Sequence, residues 1–209
     1  MKQILQEKVL KKIDHHRKDL YIIDAFPVII SHFKRAHFSK IFKQEATYGY
    51  CATKEMNYFG FKGHVLINNF GGIQGFTLAS ANIDERIAMR EIIDHKIQGI
   101  LLGDKGYIVL DEVDKELEDL NIDLQTPLRS NMLDLRHPYF KKKFARKRRL
   151  VETVIGQLSE RFNIEQNWAR DVWHLTNRMA RKILSHTFSV FLCIKYGKSP
   201  LDFEGLVTV

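Results

Sequence analysis

Apolar residues recur along this chain at two spacings. Over residues 1–19, Ile4, Leu5, Val9, Leu10 and Ile13 repeat near helical spacing among charges, which predicts an amphipathic helix. The short run LYIID predicts a strand that ends at Asp24, with Pro27 just beyond it cutting the element off. From Ala46 to Ser80 the chain is rich in aromatic, β-branched and glycine residues. There FKGHVLINN and IQGFTLAS flank FGG, predicting two strands joined as a hairpin. Asp84 to Lys96 carries Ile87, Ile92 and Ile93 with no breaker and predicts a helix; the run Gly99, Ile100, Leu101, Leu102 predicts a strand closed by Asp104. A helix over about Glu112 to Leu120 then leads to NIDLQTP, a fifth short strand closed by Pro127. Helical pattern resumes from about His137 to Phe162 and again from about Thr176 to Tyr196.

Strands first, then strand–helix alternation, imply a mixed sheet with helices on its faces. That order also leaves two carboxylates, Asp24 and Asp104, at strand ends where neighbouring strands can bring them together. In LLGDKGY the Asp and Gly also suit an ordinary turn. An acid at the carboxyl end of a buried strand, however, faces the crevice where open α/β sheets bind ligands.

A third acid lies in RKRRLVETVIGQL. Leu150, Val154 and Leu158 form an apolar stripe with Val151, Ile155 and Phe162 beside it, so this helix faces the core. Glu152 stands at the border of the stripe, one turn from both Arg148 and Gly156. A glycine inside a helix costs about 1 kcal/mol relative to alanine. Gly156 therefore reads either as a helix–helix contact or as a place where a DNA strand approaches the backbone.

Charge adds a partner to this picture. Against 25 Asp and Glu the chain has 33 Lys and Arg, a net +8, which favours a polyanion. Seven cations crowd one stretch, Lys141, Lys142, Lys143, Arg146, Lys147, Arg148 and Arg149, interleaved with Tyr139, Phe140 and Phe144. Such a block contacts phosphates and releases their counterions. The two cysteines, Cys51 and Cys193, form no CxxC pair, so neither a zinc site nor a disulfide framework is indicated. Charges interrupt the N-terminal apolar positions, unlike a signal peptide, and Ile183 to Ile194 is too short to span a bilayer. A cytoplasmic, nucleoid-associated protein is the expectation.

Six segments, YIIDAFPV, ATYGYCATK, FGFKGHVLI, LLGDKGY, TPLRSNM and RKRRLVETVIGQL, together resemble the DDE transposases of small bacterial insertion sequences. The resemblance runs from about Tyr21 to Ile194. It implies an α/β, ribonuclease H-like fold: a mixed five-stranded sheet flanked by helices, with C-terminal helices. The implied domains are an N-terminal helix (1–19), a catalytic domain (20–165) and a C-terminal helical extension (166–209). The resemblance further implies an Asp, Asp, Glu triad with two divalent ions, Mg²⁺ or Mn²⁺, which falls on Asp24, Asp104 and Glu152. The implied activity is DNA strand cleavage and strand transfer, with double-stranded DNA, both terminal inverted repeats and target, as partner and with room for a homodimer. In that scheme Asp24 bridges the ions and Glu152 completes the second one. Lys105 reads either as a phosphate contact or as a solvated strand-end lysine.

Related transposases carry a tyrosine, an arginine and a lysine spaced around the glutamate. Here Arg148 takes the arginine spacing, but Ala145 and Ser159 stand at the other two. The segment TYGYCATKEMNYFGFK offers Tyr48, Tyr50, Lys54 and Lys62 either to DNA or, for the aromatics, to the core. His15 and His16 read as surface residues. Relatives of this kind have a longer region before the first aspartate, so a shortened copy that binds DNA without transposing, or another nuclease of the same fold, is the competing expectation.

Overall fold

The computed structural model describes residues 2–13, 19–52, 54–93, 97–108 and 112–206; His15 and His16 lie outside them. The elements are α1 (Lys2–Ile13), β1 (Leu20–His32), α2 (Phe33–Ala36), β2 (Thr47–Cys51), β3 (Met56–Asn68), β4 (Ile73–Ser80), α3 (Glu85–Ile92) and β5 (Gly99–Leu102). A 3-10 turn at Lys105–Tyr107 follows, then α4 (Glu112–Asp119), β6 (Ile122–Gln125), α5 (Pro138–Glu160) and α6 (Val172–Lys195).

One mixed sheet runs β2-β3-β1-β5-β6, with β4 also paired to β3. β3 is long enough to serve two strands on one side: residues 56–60 pair with β2 and residues 61–67 with β4, both antiparallel. The sheet is therefore five strands wide although six segments build it. β1 pairs with β3 antiparallel and with β5 parallel, and β5 pairs with β6 parallel through the α4 crossover.

Contrary to the sequence expectation, β1 does not stop at Asp24 or Pro27. It continues to His32 because β3 pairs with it along nearly its whole length. On its other side β5 pairs only with residues 20–22, so at Pro27 that side needs no amide donor, the edge position at which a strand tolerates proline. At the start of β5, Gly99 has φ +98°, and a side chain there would strike Asp19, with its Cβ 2.2 Å from that residue's Cβ. Only glycine fits this entry.

Alternate residues of the central strands serve opposite faces. Ile22, Phe26 and Val28 of β1 and Leu102 of β5 pack with Val151, Val154 and Leu158 of α5 and with Leu175 and Met179 of α6. Tyr21, Ile23 and Leu101 pack instead with Met89 and Ile92 of α3 and Leu117 of α4. A smaller cluster joins Val9, Leu10 and Ile13 of α1 to Val190 and Cys193 of α6. Both cysteines are buried free thiols.

Candidate active site

Ile22 and Leu102 are the last paired residues between β1 and β5. Asp24 and Asp104 each lie two residues further along, Asp24 within β1 and Asp104 just past the end of β5, with the parity that faces α5. Contacts with α5 bear this out. The Nη1 of Arg148 donates to Asp104 Oδ1 at 3.3 Å, and its Nη2 to Asp24 Oδ2 at 3.5 Å. Asp24 and Arg148 are largely covered, with side-chain exposures of 19% and 16%, while Asp104 is half exposed at 49%.

Burial pushes the Asp24 carboxyl up to about 6. The Ala25 amide, which donates to its Oδ1 at 2.8 Å, and Arg148 work against that rise, while Asp104 and Glu85 add to it. Arg148 itself is poorly satisfied: its Nε is buried with no partner. Two acceptor-only carboxylates thus share a cation held on long, incomplete hydrogen bonds. Their chemistry fits a hard divalent ion, which takes oxygen ligands and completes its shell with water and phosphate.

α5 delivers the remaining groups. It begins at Pro138, a favoured first helical residue, capped by the His137 side chain, which accepts from the Tyr139 amide. The preceding loop is fastened by Arg136, which donates to both carboxylate oxygens of Asp134 and to the Thr126 carbonyl, and lies over the Phe144 ring at 5.9 Å. Glu152, exposed, follows Arg148 by one turn. A cavity of about 480 Å³ gathers Glu152 with Lys105, Lys141, Arg148, Arg149 and Arg136. Lys142, Lys143, Arg146 and Lys147 are exposed on the same helix but do not line that cavity.

The structure therefore brings Asp24 and Asp104 together across Arg148, whereas Glu152 shares with Arg148 a cavity that neither aspartate lines. Among the described residues no three His, Cys, Asp or Glu side chains converge tightly enough to hold an ion. Gly156 does not mediate intramolecular packing, since a Cβ there would meet nothing within 4 Å. Lys54 and Lys62 are engaged within the chain, with Glu165 and Glu85 respectively, whereas Tyr48 and Tyr50 are exposed rather than core.

Three neighbours of the site were not singled out by the sequence. Glu85, in the first turn of α3, pairs with Lys62 at 3.2 Å and lies close enough to raise the Asp24 pKa. Tyr107, fully buried after Asp104, shares a 2.9 Å hydrogen bond with His64 Nδ1. Burial, helped by Lys62, lowers the His64 pKa to about 4 and keeps that ring neutral. The signals were faint: an acid just after the cap Asp84 reads as part of a helix start, and His64 reads as one polar residue in a strand.

A second cavity, of about 550 Å³, lies between α1, β4 and α6, and no carboxylate lines it. Among the described residues no helix is long and apolar enough to cross a membrane.

Comparison with characterised proteins by sequence gives no match to the chain. A family model described as a transposase DDE domain matches residues 14–172, well over half of the chain and spanning all three acids. The chain belongs to the family of DDE-domain transposases.

Proposed function

We propose that this chain is the strand-cutting and strand-joining enzyme of an insertion sequence, with Asp24, Asp104 and Glu152 as its catalytic carboxylates. The observation that carries this reading is the matched placement of Asp24 and Asp104 around a cation, opposite the helix that bears Glu152. In this reading Asp24 and Asp104 would hold divalent ions, Mg²⁺ or Mn²⁺, with Glu152 as the further carboxylate ligand. When bound, such a pair activates the attacking oxygen and stabilises the leaving one in an in-line displacement.

The chain's own residues do the rest. Glu152, exposed on α5, accepts the proton of the attacking hydroxyl at its carboxylate. Lys105, Lys141 and Arg149, which share its cavity, receive the substrate phosphate. Lys142, Lys143, Arg146 and Lys147 extend the contact along the duplex backbone. Arg148 neutralises the aspartates while they hold no ion and turns to phosphate when they do. The substrate is double-stranded DNA carrying the ends of the transposable element.

The test compares wild type with Asp24→Asn, Asp104→Asn and Glu152→Gln on an end-bearing duplex with and without Mn²⁺, resolved on denaturing gels. Each amide removes a ligand charge without changing shape, so nicking should disappear in all three while DNA binding persists. Replacing Lys141, Lys142 and Lys143 with alanine should flatten the log–log salt dependence of binding by about 0.9 per lost contact. Nicking that survives in all three acid variants would place the chemistry elsewhere. Salt-sensitive binding without any wild-type nicking would leave a DNA-binding protein.

A further inference from the structure

Between β1 and β2 the chain reads HFKRAHFSKIFKQEA, residues 32–46, with one carboxylate, Glu45, near its end. Its four cations, Lys34, Arg35, Lys40 and Lys43, are all exposed. Phe33 and Phe38 stand among them with 53% and 79% of their surface in water. The edge strand β2 continues the aromatic row: Tyr48 is 49% and Tyr50 58% exposed, on one face of the strand because they are two residues apart. The Phe33 ring meets the Tyr48 ring edge to face, with centroids 5.4 Å apart, so helix and strand present a continuous surface.

This exposure does not come from a loose loop. Phe42 is buried and packs against Phe61 at 5.4 Å between centroids, and Ala36 and Ala46 are buried on either side of it. The Ser80 hydroxyl donates to the Glu45 carbonyl, and Thr47 bonds Asn82, tying the segment to the end of β4. The fold thus holds half-exposed rings in place among cations, on a part of the sheet remote in sequence from α5 and its basic block.

We propose that this corner is a second nucleic-acid surface, which stacks unpaired bases on Phe33, Tyr48 and Tyr50 and holds their phosphates with the surrounding lysines and Arg35. In a duplex the base faces are already stacked on one another, so exposed rings gain most from a single strand, where every base offers a π-face and neighbouring cations track the backbone. Tyr48 and Tyr50 are about 7 Å apart along the strand, which lets each ring take its own base. A second copy of the chain fits the surface less well: a two-fold contact there would set four cations and one carboxylate, Glu45, against the same set. The proposal rests on the strand-cutting reading only for the source of the unpaired strand, which is the frayed end that a cut leaves.

The experiment is fluorescence anisotropy on the full chain with a labelled thymidine oligomer of about 15 nucleotides and, separately, a duplex of the same length. Tyr48→Ala/Tyr50→Ala should weaken single-strand binding by about tenfold or more and leave duplex binding within about twofold. Tyr48→Phe/Tyr50→Phe, which keeps both rings, should bind the single strand like wild type, and circular dichroism should show all variants folded. Three results would overturn the proposal: no wild-type affinity for the single strand, equal affinity in the alanine variant, or a dimer-to-monomer change on sedimentation of that variant. The outcome is independent of the nicking assay. Single-strand binding that follows the rings in a chain that does not nick would sink the catalytic reading and leave this surface standing, and nicking without ring dependence would do the reverse.

Discussion

Glu85 fills the space over Gly106: a methyl group on Gly106 would lie 1.7 Å from the Glu85 Oε2. A side chain at the residue two past Asp104 would therefore have to displace that carboxylate. Gly106→Ala should drive the Glu85 carboxylate off Lys62 at small cost in stability, about 1 kcal/mol or less, because the ion pair is partly exposed. Glu85→Ala frees the same space, so adding Gly106→Ala to it should cost nothing further. Urea midpoints over the four members of this cycle measure the coupling. Additive losses would mean that something other than Glu85 constrains the position.

Arg148 stands where an ion shared by Asp24 and Asp104 would compete with it. In the absence of divalent ions, Arg148→Gln should destabilise the fold by about 2 kcal/mol, since it leaves a buried carboxylate facing another without a cation. Added Mn²⁺ should then raise the melting temperature more in the variant than in wild type, where binding must first displace the guanidinium. Thermal scans with and without Mn²⁺ decide this, and an equal gain in both proteins would detach Arg148 from the ion site.

Gly156 sits inside α5 with open space where its side chain would be. Gly156→Ala should stabilise the protein by about 1 kcal/mol through helix propensity alone. If the gap admits a DNA strand beside Glu152, the same change should reduce nicking of duplex DNA several-fold. A variant that is more stable and equally active would make the glycine incidental.

The buried histidines set the acid side of stability. Burial lowers the pKa of His186 and of His64 to about 4, while unfolding returns each to about 6.5. The unfolded chain therefore binds more protons, and the stability contributed by keeping these rings neutral is complete above pH 6.5 and is lost as pH falls toward 4, up to about 3 kcal/mol per group. Asp24 acts in the opposite sense. Its carboxyl, raised from 3.8 to about 6, favours the fold as pH falls through that window and offsets part of the loss. His186→Gln gives up ring contacts with Phe162 and Phe203 and should be less stable at pH 7.5, yet its urea midpoint should fall less steeply between pH 6.5 and 4. An unchanged slope would assign the acid sensitivity to other groups.

Much of the sheet was legible in the sequence, because a short apolar run closed by an acid or a proline is a local pattern. Gly99–Leu102 and Ile122–Gln125 formed where the pattern placed them. What could not be read was whatever depends on a neighbour. Pro27 looks like a terminator until β3 is known to run beside it and β5 to have ended. Arg148 read as a cation of the basic block and, by resemblance, as the arginine one turn before Glu152; its place between Asp24 and Asp104 follows from how α5 crosses the sheet, which no spacing within the helix encodes. Glu85 reached the site through the packing of α3 over the turn after Asp104, a contact carried by Gly106 rather than by any motif around Glu85. Tyr48 and Tyr50 sat in a stretch whose other aromatics, Tyr58, Phe59 and Phe61, are buried, and only their edge position left them in water.

The alternation along β1 also limits how this gene can drift. Ile22 and Asp24 look to one side of the sheet, Tyr21 and Ile23 to the other, so a codon gained or lost between Tyr21 and Asp24 would turn the carboxylate toward α3 and α4 and exchange the lining of both cores in the same stroke. Point substitutions can accumulate in this strand one at a time, whereas a change of length near Asp24 must be absorbed by a bulge such as the one β1 already carries between Ile29 and Ser31, beyond the carboxylate.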